Sequence, residues 1–194
     1  MTNGRVDTGT RRGSWMQTFT GGQFFPLDPR ADEVDVRDIA HSLAMQCRYN
    51  GHTRVFYSVA EHCVLMSRVV SRENALWALL HDATEAYVGD MVRPLKRHMP
   101  HFCAVEDQVM LTIAEHFGID ATMPPEVHRA DTRILLNERA ALFDKPAGDW
   151  GIDLEPLEVT IQAWSPAQAE QEYLLRFAEL TGQPTGLTVG LCAD

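Results

Sequence analysis

The chain has a deficit of basic residues and no long apolar run. Its 194 residues carry 17 lysines and arginines against 27 acidic residues, which gives a formal net charge of −10. A surface with this balance repels nucleic acid polymers and anionic membranes. No apolar stretch approaches the roughly 20 residues of a membrane span. We therefore expect neither a nucleic acid polymer nor a membrane as a partner.

Cysteine is scarce, and the N-terminal residues carry no sign of a secretory signal. The cysteines are widely spaced and form no Cys-x-x-Cys pair: Cys47, Cys63, Cys103 and Cys192. This pattern favours reduced thiols over a disulfide framework or a zinc knuckle. Residues 1–7 lack the apolar stretch of a signal peptide. A cytoplasmic protein is the expectation.

The patterning predicts one all-α domain over residues 16–182. Residues 1–15 are rich in Gly, Thr and Arg without periodicity, and we interpret them as a disordered tail. Residues 183–194 are interpreted as a C-terminal tail. At 17–26 a Gly-Gly turn separates β-favouring residues, which predicts a small N-terminal β-hairpin.

Six to seven helices are expected after Pro29. Ser58-x-x-Glu61 fits a capping box, and Ser165 followed by a proline is typical of a helix start. Apolar spacing and these signals place helices at about 35–46, 58–70, 72–87, 101–117, 126–144 and 165–181, with a short turn near 95–98.

The most informative residues are the polar ones that end an apolar helical run. After Leu80 come His81 and Asp82, and Glu85 follows three residues later. Burying such groups without partners costs on the order of several kcal/mol. A divalent cation is one partner, because imidazole and carboxylate suit Mn, Fe, Co, Ni or Zn. The alternative is an ordinary helix end with a satisfied histidine and an exposed aspartate.

Two residues from other predicted helices could complete such a centre. His62 lies in the second helix, and Asp131 lies in the penultimate one, at the edge of its apolar face. Two histidines and two aspartates would fill four positions of an ion and leave room for water and a phosphoryl oxygen. Either residue alone is more commonly a core or surface residue, so the joint pattern carries the interpretation.

Charged residues near this motif could carry out proton transfer and phosphate binding. Glu85 shares a helix face with His81, so it could act as a general base or acid. Asp90 could do the same or orient a cation. Several basic residues follow, and their position favours a phosphate role over an ordinary solvated face: Arg93, Lys96 and Arg97.

Together these motifs resemble the HD-domain phosphohydrolase superfamily, whose order is His, then His-Asp, then a distant Asp. The closer similarity is to the YfbR-like 5'-deoxynucleotidases of bacteria and phages, and to the phage HD enzymes that hydrolyse dATP to deoxyadenosine and triphosphate. The similar stretches fall within residues 17–180 and are 38–43, 47–53, 56–62, 79–90, 91–96 and 130–131.

The resemblance implies an HD-domain helical bundle with assigned roles. The implied ligands of a divalent metal, which would be Mn, Co, Zn, Fe or Mg, are His62, His81, Asp82 and Asp131. Glu85 matches the acid/base carboxylate, and Asp90 matches a further active-site carboxylate. Arg48 and Lys96 match cations near the phosphate. Tyr49 falls where relatives have an aromatic residue next to the sugar, and His128 falls where some have a phosphate-binding lysine.

The expected function is metal-dependent cleavage of the 5'-phosphate or 5'-triphosphate from a deoxynucleotide, which releases a deoxynucleoside. One alternative is a regulatory nucleotide-binding HD protein without turnover, against which the intact ligand set argues. Another is a two-iron oxygenase, but the remaining histidines do not match a second full site. The resemblance also implies a homo-oligomer, a dimer or a trimer of dimers, in bacterial or phage-infected host cytosol.

Overall fold

The computed structural model describes residues 11–145 and 147–185. This part begins with an antiparallel hairpin of two short strands, β1 (Met16–Gln17) and β2 (Gln23–Phe24), in which Met16 pairs with Phe24. The Phe24 side chain is fully buried. The hairpin is therefore anchored on the core, and the predicted small β-hairpin is confirmed.

Helices make up most of the remaining described chain. They are α1 (Val36–Met45), α2 (Val59–Val69), α3 (Ala75–Leu80), α4 (Glu85–Val88), α5 (Arg93–Lys96), α6 (Pro100–Phe117), α7 (Pro125–Leu142) and α8 (Pro166–Thr181). If α3 and α4 are counted as one interrupted helix, the described residues form seven helical units. The predicted all-α bundle of six to seven helices is confirmed.

The start of α2 shows a departure from the predicted capping box. The Ser58 hydroxyl accepts the Glu61 backbone N–H at 3.0 Å, as the box requires. The Glu61 carboxylate instead accepts backbone N–H groups of Gln162, Ala163 and Trp164, at distances from 2.7 to 3.0 Å. The buried carboxylate thus ties the segment that precedes α8 to α2.

Two hydrophobic clusters share α2 and α3. The larger one packs these helices against α1 and α8, and its fully buried members include Leu43, Leu79 and Phe177. The second one packs them against α7 through residues such as Met66 and Ile134. This sharing brings the polar residues of α2, of the end of α3 and of α7 close together.

The predicted tails lie mostly outside the described residues, which exclude 1–10 and 186–194. Arg11 belongs to the described part, although it falls in the predicted N-terminal tail. Its guanidinium pairs with Asp28 at 2.7 Å and with Glu33 at 2.5 Å, and only 7% of its side chain is exposed. Across the two described ranges, no helix combines the length and apolarity needed to cross a bilayer.

Candidate metal centre

His81 and Asp82 lie in a turn, 81–84, that separates α3 from α4. The helix predicted over 72–87 is therefore two helices. Within the break the hydrogen bonds follow the tighter i→i−3 pattern, as when the Glu85 N–H donates to the Asp82 carbonyl at 3.0 Å. A short 3₁₀-like stretch inside a helix often marks a functional position, and here it carries two predicted ligands.

The other three predicted metal ligands lie around Nε2 of His62. Nε2 of His62, on α2, lies 3.1 Å from Nε2 of His81. The same nitrogen is 3.4 Å from Oδ1 of Asp131, on α7, and 3.7 Å from Oδ2 of Asp82. Nε2 of His81 is 3.2 Å from Oδ2 of Asp82. The structure thus brings together all four residues that the sequence indicated.

The outer ring nitrogens of both histidines are held by acceptors. Nδ1 of His62 donates to the Glu138 carboxylate at 2.7 Å, and Nδ1 of His81 donates to the Ala78 carbonyl at 2.8 Å. A neutral imidazole that donates from one nitrogen has a lone pair on the other. Both Nε2 atoms can therefore present lone pairs to the same small space, an arrangement typical of metal-binding histidines.

Four of the six distances between the donor atoms are compatible with a single divalent ion. Ligand atoms about 2.1 Å from a common ion lie about 3.0 Å apart at right angles and about 3.4 Å apart at the tetrahedral angle. These four separations run from 3.1 to 3.7 Å. Two imidazoles and two carboxylates suit cations such as Mn, Fe, Co and Zn. This cluster could bind a metal ion.

The electrostatics of the cluster also favour a cation. Burial opposes ionisation of Asp131, but the neighbouring His62 and His81 outweigh it and lower the pKa of that carboxyl to about 2. Burial likewise opposes ionisation of Asp82, and His81 and His62 lower its pKa well below the usual range. Burial lowers the pKa of His81, yet Asp82 outweighs this effect and raises that pKa well above normal. Both carboxylates are therefore ionised at neutral pH, and a metal competes with protons for the site.

Cys63 is a neighbour of this cluster that the sequence did not indicate as a ligand. Its Sγ lies 3.7 Å from Nδ1 of His81, on the outer side of the ring. Burial raises the pKa of the Cys63 thiol. Its Sγ contacts the outer nitrogen of the His81 ring, and with His81 and Asp82 it forms a second group of possible ligand atoms.

Glu85 and Asp90 line the same cavity as the cluster. Burial, reinforced by Asp82 and Asp90, raises the pKa of Glu85 to about 9. Within the described part of the chain, its buried Oε2 has no hydrogen-bond partner. A cation beside Asp82 would favour the ionised form and lower this pKa. Glu85 is thus a buried carboxyl beside the candidate ligands that holds its proton more tightly than an exposed glutamate does.

The cavity has a volume of about 1180 Å³, and basic side chains face the acidic cluster in it. Arg48 lies 3.4 Å from Asp82, and Arg93 lies 3.5 Å from Asp131. Lys96 also lines the cavity, where it pairs with Glu106 at 2.7 Å. Arg97 lines the cavity as well, so four Lys and Arg side chains border the space next to the candidate metal ligands.

The structure does not bring His128 to this cavity. The residue lies one turn before Asp131 on α7, rotated by about 60° around the helix. Its side chain is exposed and is not among the residues that line the cavity. The predicted phosphate contact of His128 therefore has no counterpart in this arrangement.

Aromatic side chains form another wall of the cavity. Tyr49 meets Phe143 edge to face at a ring separation of 5.2 Å, and both lie within 6 Å of Trp150, at 5.9 and 5.7 Å. All three line the cavity. The sequence predicted a role for Tyr49 only, because the other two reach the site from the segment after α7.

Glu138 is the main site residue that sequence reasoning missed. It is fully buried on α7, and its carboxylate accepts hydrogen bonds from His62 at 2.7 Å and from Arg48 at 3.3 Å. It also accepts one from the Tyr49 hydroxyl. The one available signal was its position seven residues after Asp131, which places both carboxylates on the same helix face.

The fold and this cluster define a helical protein with a candidate divalent-metal centre of two histidines and two aspartates. The uncharacterized protein YfdR of Escherichia coli (strain K12) is 37% identical to the chain over 172 residues, which cover 87% of the chain and 96% of YfdR. An uncharacterized Rhodobacter capsulatus protein is 35% identical over 127 residues, 60% of the chain and 65% of that protein. No family model matches the chain. The chain belongs to the family of YfdR.

Proposed function

We propose that this protein is a metal-dependent phosphohydrolase of the HD-domain type. It would cleave the 5'-phosphate or 5'-triphosphate from a deoxynucleotide and release the deoxynucleoside. The observation that carries the proposal is that donor atoms of His81, Asp82 and Asp131 lie within 3.7 Å of Nε2 of His62, at a cavity that basic side chains also line. The order of His62, His81-Asp82 and Asp131 along the chain supports the HD-domain assignment.

The four ligands would hold the ion, and the surrounding residues would handle charge and protons. A divalent cation supplies Lewis acidity, which activates water and polarises the phosphoryl group. Arg48, Arg93 and Lys96 would offset the charge on the phosphoryl oxygens through charge-assisted hydrogen bonds. The negative charge of a nucleotide is therefore compatible with this cavity, although the chain as a whole carries a net charge of −10.

Glu85 would manage the proton. In hydrolysis, a water oxygen bonds to the α-phosphorus, the bond between phosphorus and O5' breaks, and O5' takes up a proton. A carboxyl group whose pKa is raised above its usual value can accept the proton of the water or deliver one to O5'. The charge of Asp90 raises the pKa of Glu85, so Asp90 would help to keep Glu85 protonated.

The aromatic wall supports a nucleotide over a simple phosphate ester. A phosphate group alone would fill a small part of the cavity of about 1180 Å³. The rings of Tyr49, Phe143 and Trp150 offer flat apolar surface of the kind that stacks against nucleobases. We infer that the phosphate end lies at the metal centre and the base lies toward these rings.

The two-iron alternative receives no support from the described residues. Among these residues, two groups of possible ligand atoms occur, each with its atoms within 4.8 Å of one another. Both groups include His81, and their other members come from α2, α7 and the turn after α3. None of the remaining histidines belongs to either group. In one case, His116, the ring donates instead to the Ala31 carbonyl at 2.6 Å.

A substrate panel tests the proposal. The protein would be incubated with ribo- and deoxynucleoside mono-, di- and triphosphates in ¹⁸O-labelled water, with Mn, Co, Zn or Mg. We expect an intact deoxynucleoside, with the label in the phosphate or triphosphate product. Label on the nucleoside 5'-oxygen, or release of pyrophosphate, would contradict the proposed bond cleavage. Nucleotide binding without turnover under every metal would favour the regulatory alternative.

We expect Lys96→Ala to raise KM more for a triphosphate than for a monophosphate. Because 38% of this side chain is exposed, solvent weakens its contact, and the rise should be about 3- to 10-fold. In Lys96→Ala the Glu106 carboxylate loses its partner and could itself repel the phosphate. The double variant Lys96→Ala/Glu106→Gln removes this charge, so its KM reports the loss of the Lys96–phosphate contact alone. Arg129, which is exposed on α7 outside the cavity, gives the control variant Arg129→Ala. Equal KM values for wild type and both Lys96 variants would place the phosphate pocket elsewhere.

We also propose a cytoplasmic location. In the described ranges Cys47, Cys63 and Cys103 are free thiols, as expected in a reducing compartment. The homo-oligomer that the resemblance implies stays a prediction, which light scattering of the purified protein would test.

A further inference from the structure

One buried carboxylate connects the two sides of the candidate site. Glu138 is 0% exposed, and it contacts the metal-ligand candidate His62 on one side. On the other side it contacts Arg48 and Tyr49, which belong to the turn Arg48–Gly51 at the wall of the cavity. A change at Glu138 therefore reaches both the metal ligands and the wall.

The contact with His62 fixes which ring nitrogen carries the hydrogen. Nδ1 of His62 lies 2.7 Å from Oε1 of Glu138, and Arg48 lies 3.3 Å from the same carboxylate. A carboxylate accepts hydrogen bonds, so Nδ1 of His62 donates to it. Without this acceptor, the hydrogen of the neutral ring could move to Nε2, and that nitrogen could no longer bind a metal.

The contact with Tyr49 holds a backbone conformation that side chains disfavour. Tyr49 and Asn50 are consecutive non-glycine residues in the left-handed region, with φ values of 57° and 50°. A non-glycine residue in this region is strained, and the conformation persists only where the surrounding structure holds it. The hydrogen bond from the Tyr49 hydroxyl to Glu138 and the backbone bond from Arg48 N–H to the Tyr57 carbonyl, at 2.9 Å, hold the turn in place.

We propose that Glu138 is a positioning residue that sets the metal affinity of His62 and orders the Arg48–Tyr49 turn for the substrate. The expected effect on metal affinity requires only that the cluster binds a metal. The expected effect on substrate binding rests on the proposed function. Loss of the hydrogen-bond partner of a metal-binding histidine typically lowers metal affinity by about 10- to 100-fold. We expect a loss in this range for Glu138.

The test is a Mn²⁺ titration of the full-length Glu138→Gln variant, followed by calorimetry. The amide keeps the shape of the side chain but loses the charge, and Mn²⁺ affinity should fall by about 10- to 100-fold. The matched control is Glu61→Gln, because Glu61 is equally buried beside His62, but among the described residues its carboxylate bonds to the segment that precedes α8. A fall in Glu138→Gln and not in the control supports the proposal, and unchanged affinity in a folded Glu138→Gln overturns it.

Two further variants keep the test decisive. Should Glu138→Gln not fold, Glu138→Asp retains the charge but withdraws the carboxylate from Nδ1 of His62. Its Mn²⁺ affinity must then fall by several-fold, and wild-type affinity would overturn the proposal. Tyr49→Phe removes the hydrogen bond from the Tyr49 hydroxyl to Glu138 and keeps the contact between Glu138 and His62. It should therefore raise KM for a deoxynucleotide and leave Mn²⁺ affinity unchanged. Loss of Mn²⁺ affinity in Glu138→Gln together with a wild type that hydrolyses no nucleotide would refute the proposed function alone.

Discussion

Asp82→Ala is expected to lose all measurable nucleotide hydrolysis and most of its bound metal. The substitution removes one of four donors and leaves two imidazoles and a single carboxylate. It also removes the negative charge nearest to Nε2 of His81, which lies 3.2 Å away. The metal content per chain, measured by mass spectrometry after dialysis, and the turnover of a deoxynucleotide would be determined on the same preparation.

The control for this variant is Asp153→Ala. Asp153 is exposed and does not line the cavity, so the control loses one carboxylate without touching the cluster. It should keep both metal and turnover, and circular dichroism should show both variants folded. Full activity and one metal per chain in Asp82→Ala would remove the basis of the site assignment.

Glu85→Gln is expected to keep its metal and lose turnover by about 10²- to 10⁴-fold, the range that a positioned acid or base contributes. The amide preserves the size of the side chain but can neither accept nor deliver the proton. Turnover would be measured at saturating substrate and saturating Mn²⁺, together with metal content. The comparison variant is Asp90→Asn, which changes an exposed carboxylate of the same cavity and should reduce turnover less.

Two outcomes would change the role of Glu85. If Glu85→Gln loses its metal along with its activity, the residue is a ligand or supports the ligands. If turnover is unchanged with metal in place, the proton is handled by another group. In that case the raised pKa of about 9 would reflect burial beside the metal centre and no catalytic function.

The helices could be predicted because their signals are local. Apolar spacing and caps such as Ser58 depend on residues close in sequence, and α1, α2, α6 and α8 begin and end within about two residues of the predicted positions. The break at 81–84 could not be predicted in this way. The sequence there continues a helical pattern, and the tighter hydrogen bonds become visible only in the folded chain.

The candidate ligands could be predicted because their chemistry is unusual for their positions. A histidine and two carboxylates after an apolar run need polar partners when they are buried. In the structure, His62, His81, Asp82 and Asp131 are one another's polar neighbours. By contrast, Glu138 looks like any helical glutamate until Arg48 and His62, distant in sequence, surround it.

Two other features depend on long-range contacts. The carboxylate of Glu61 was predicted to bond within its own helix start, and it bonds to the segment that precedes α8 instead. Phe143 and Trp150 join Tyr49 only because the segment after α7 folds back over the cavity. Periodicity and caps carry no information on such contacts.

Anomalous diffraction from crystals grown with Mn²⁺ would locate the metal. We expect one strong anomalous peak between Nε2 of His62, Nε2 of His81 and the carboxylate oxygens of Asp82 and Asp131. Crystals of Asp82→Ala under the same conditions should lack that peak. A peak at other residues, or none at this cluster in a well-ordered wild-type crystal, would show that these four residues are not the metal centre.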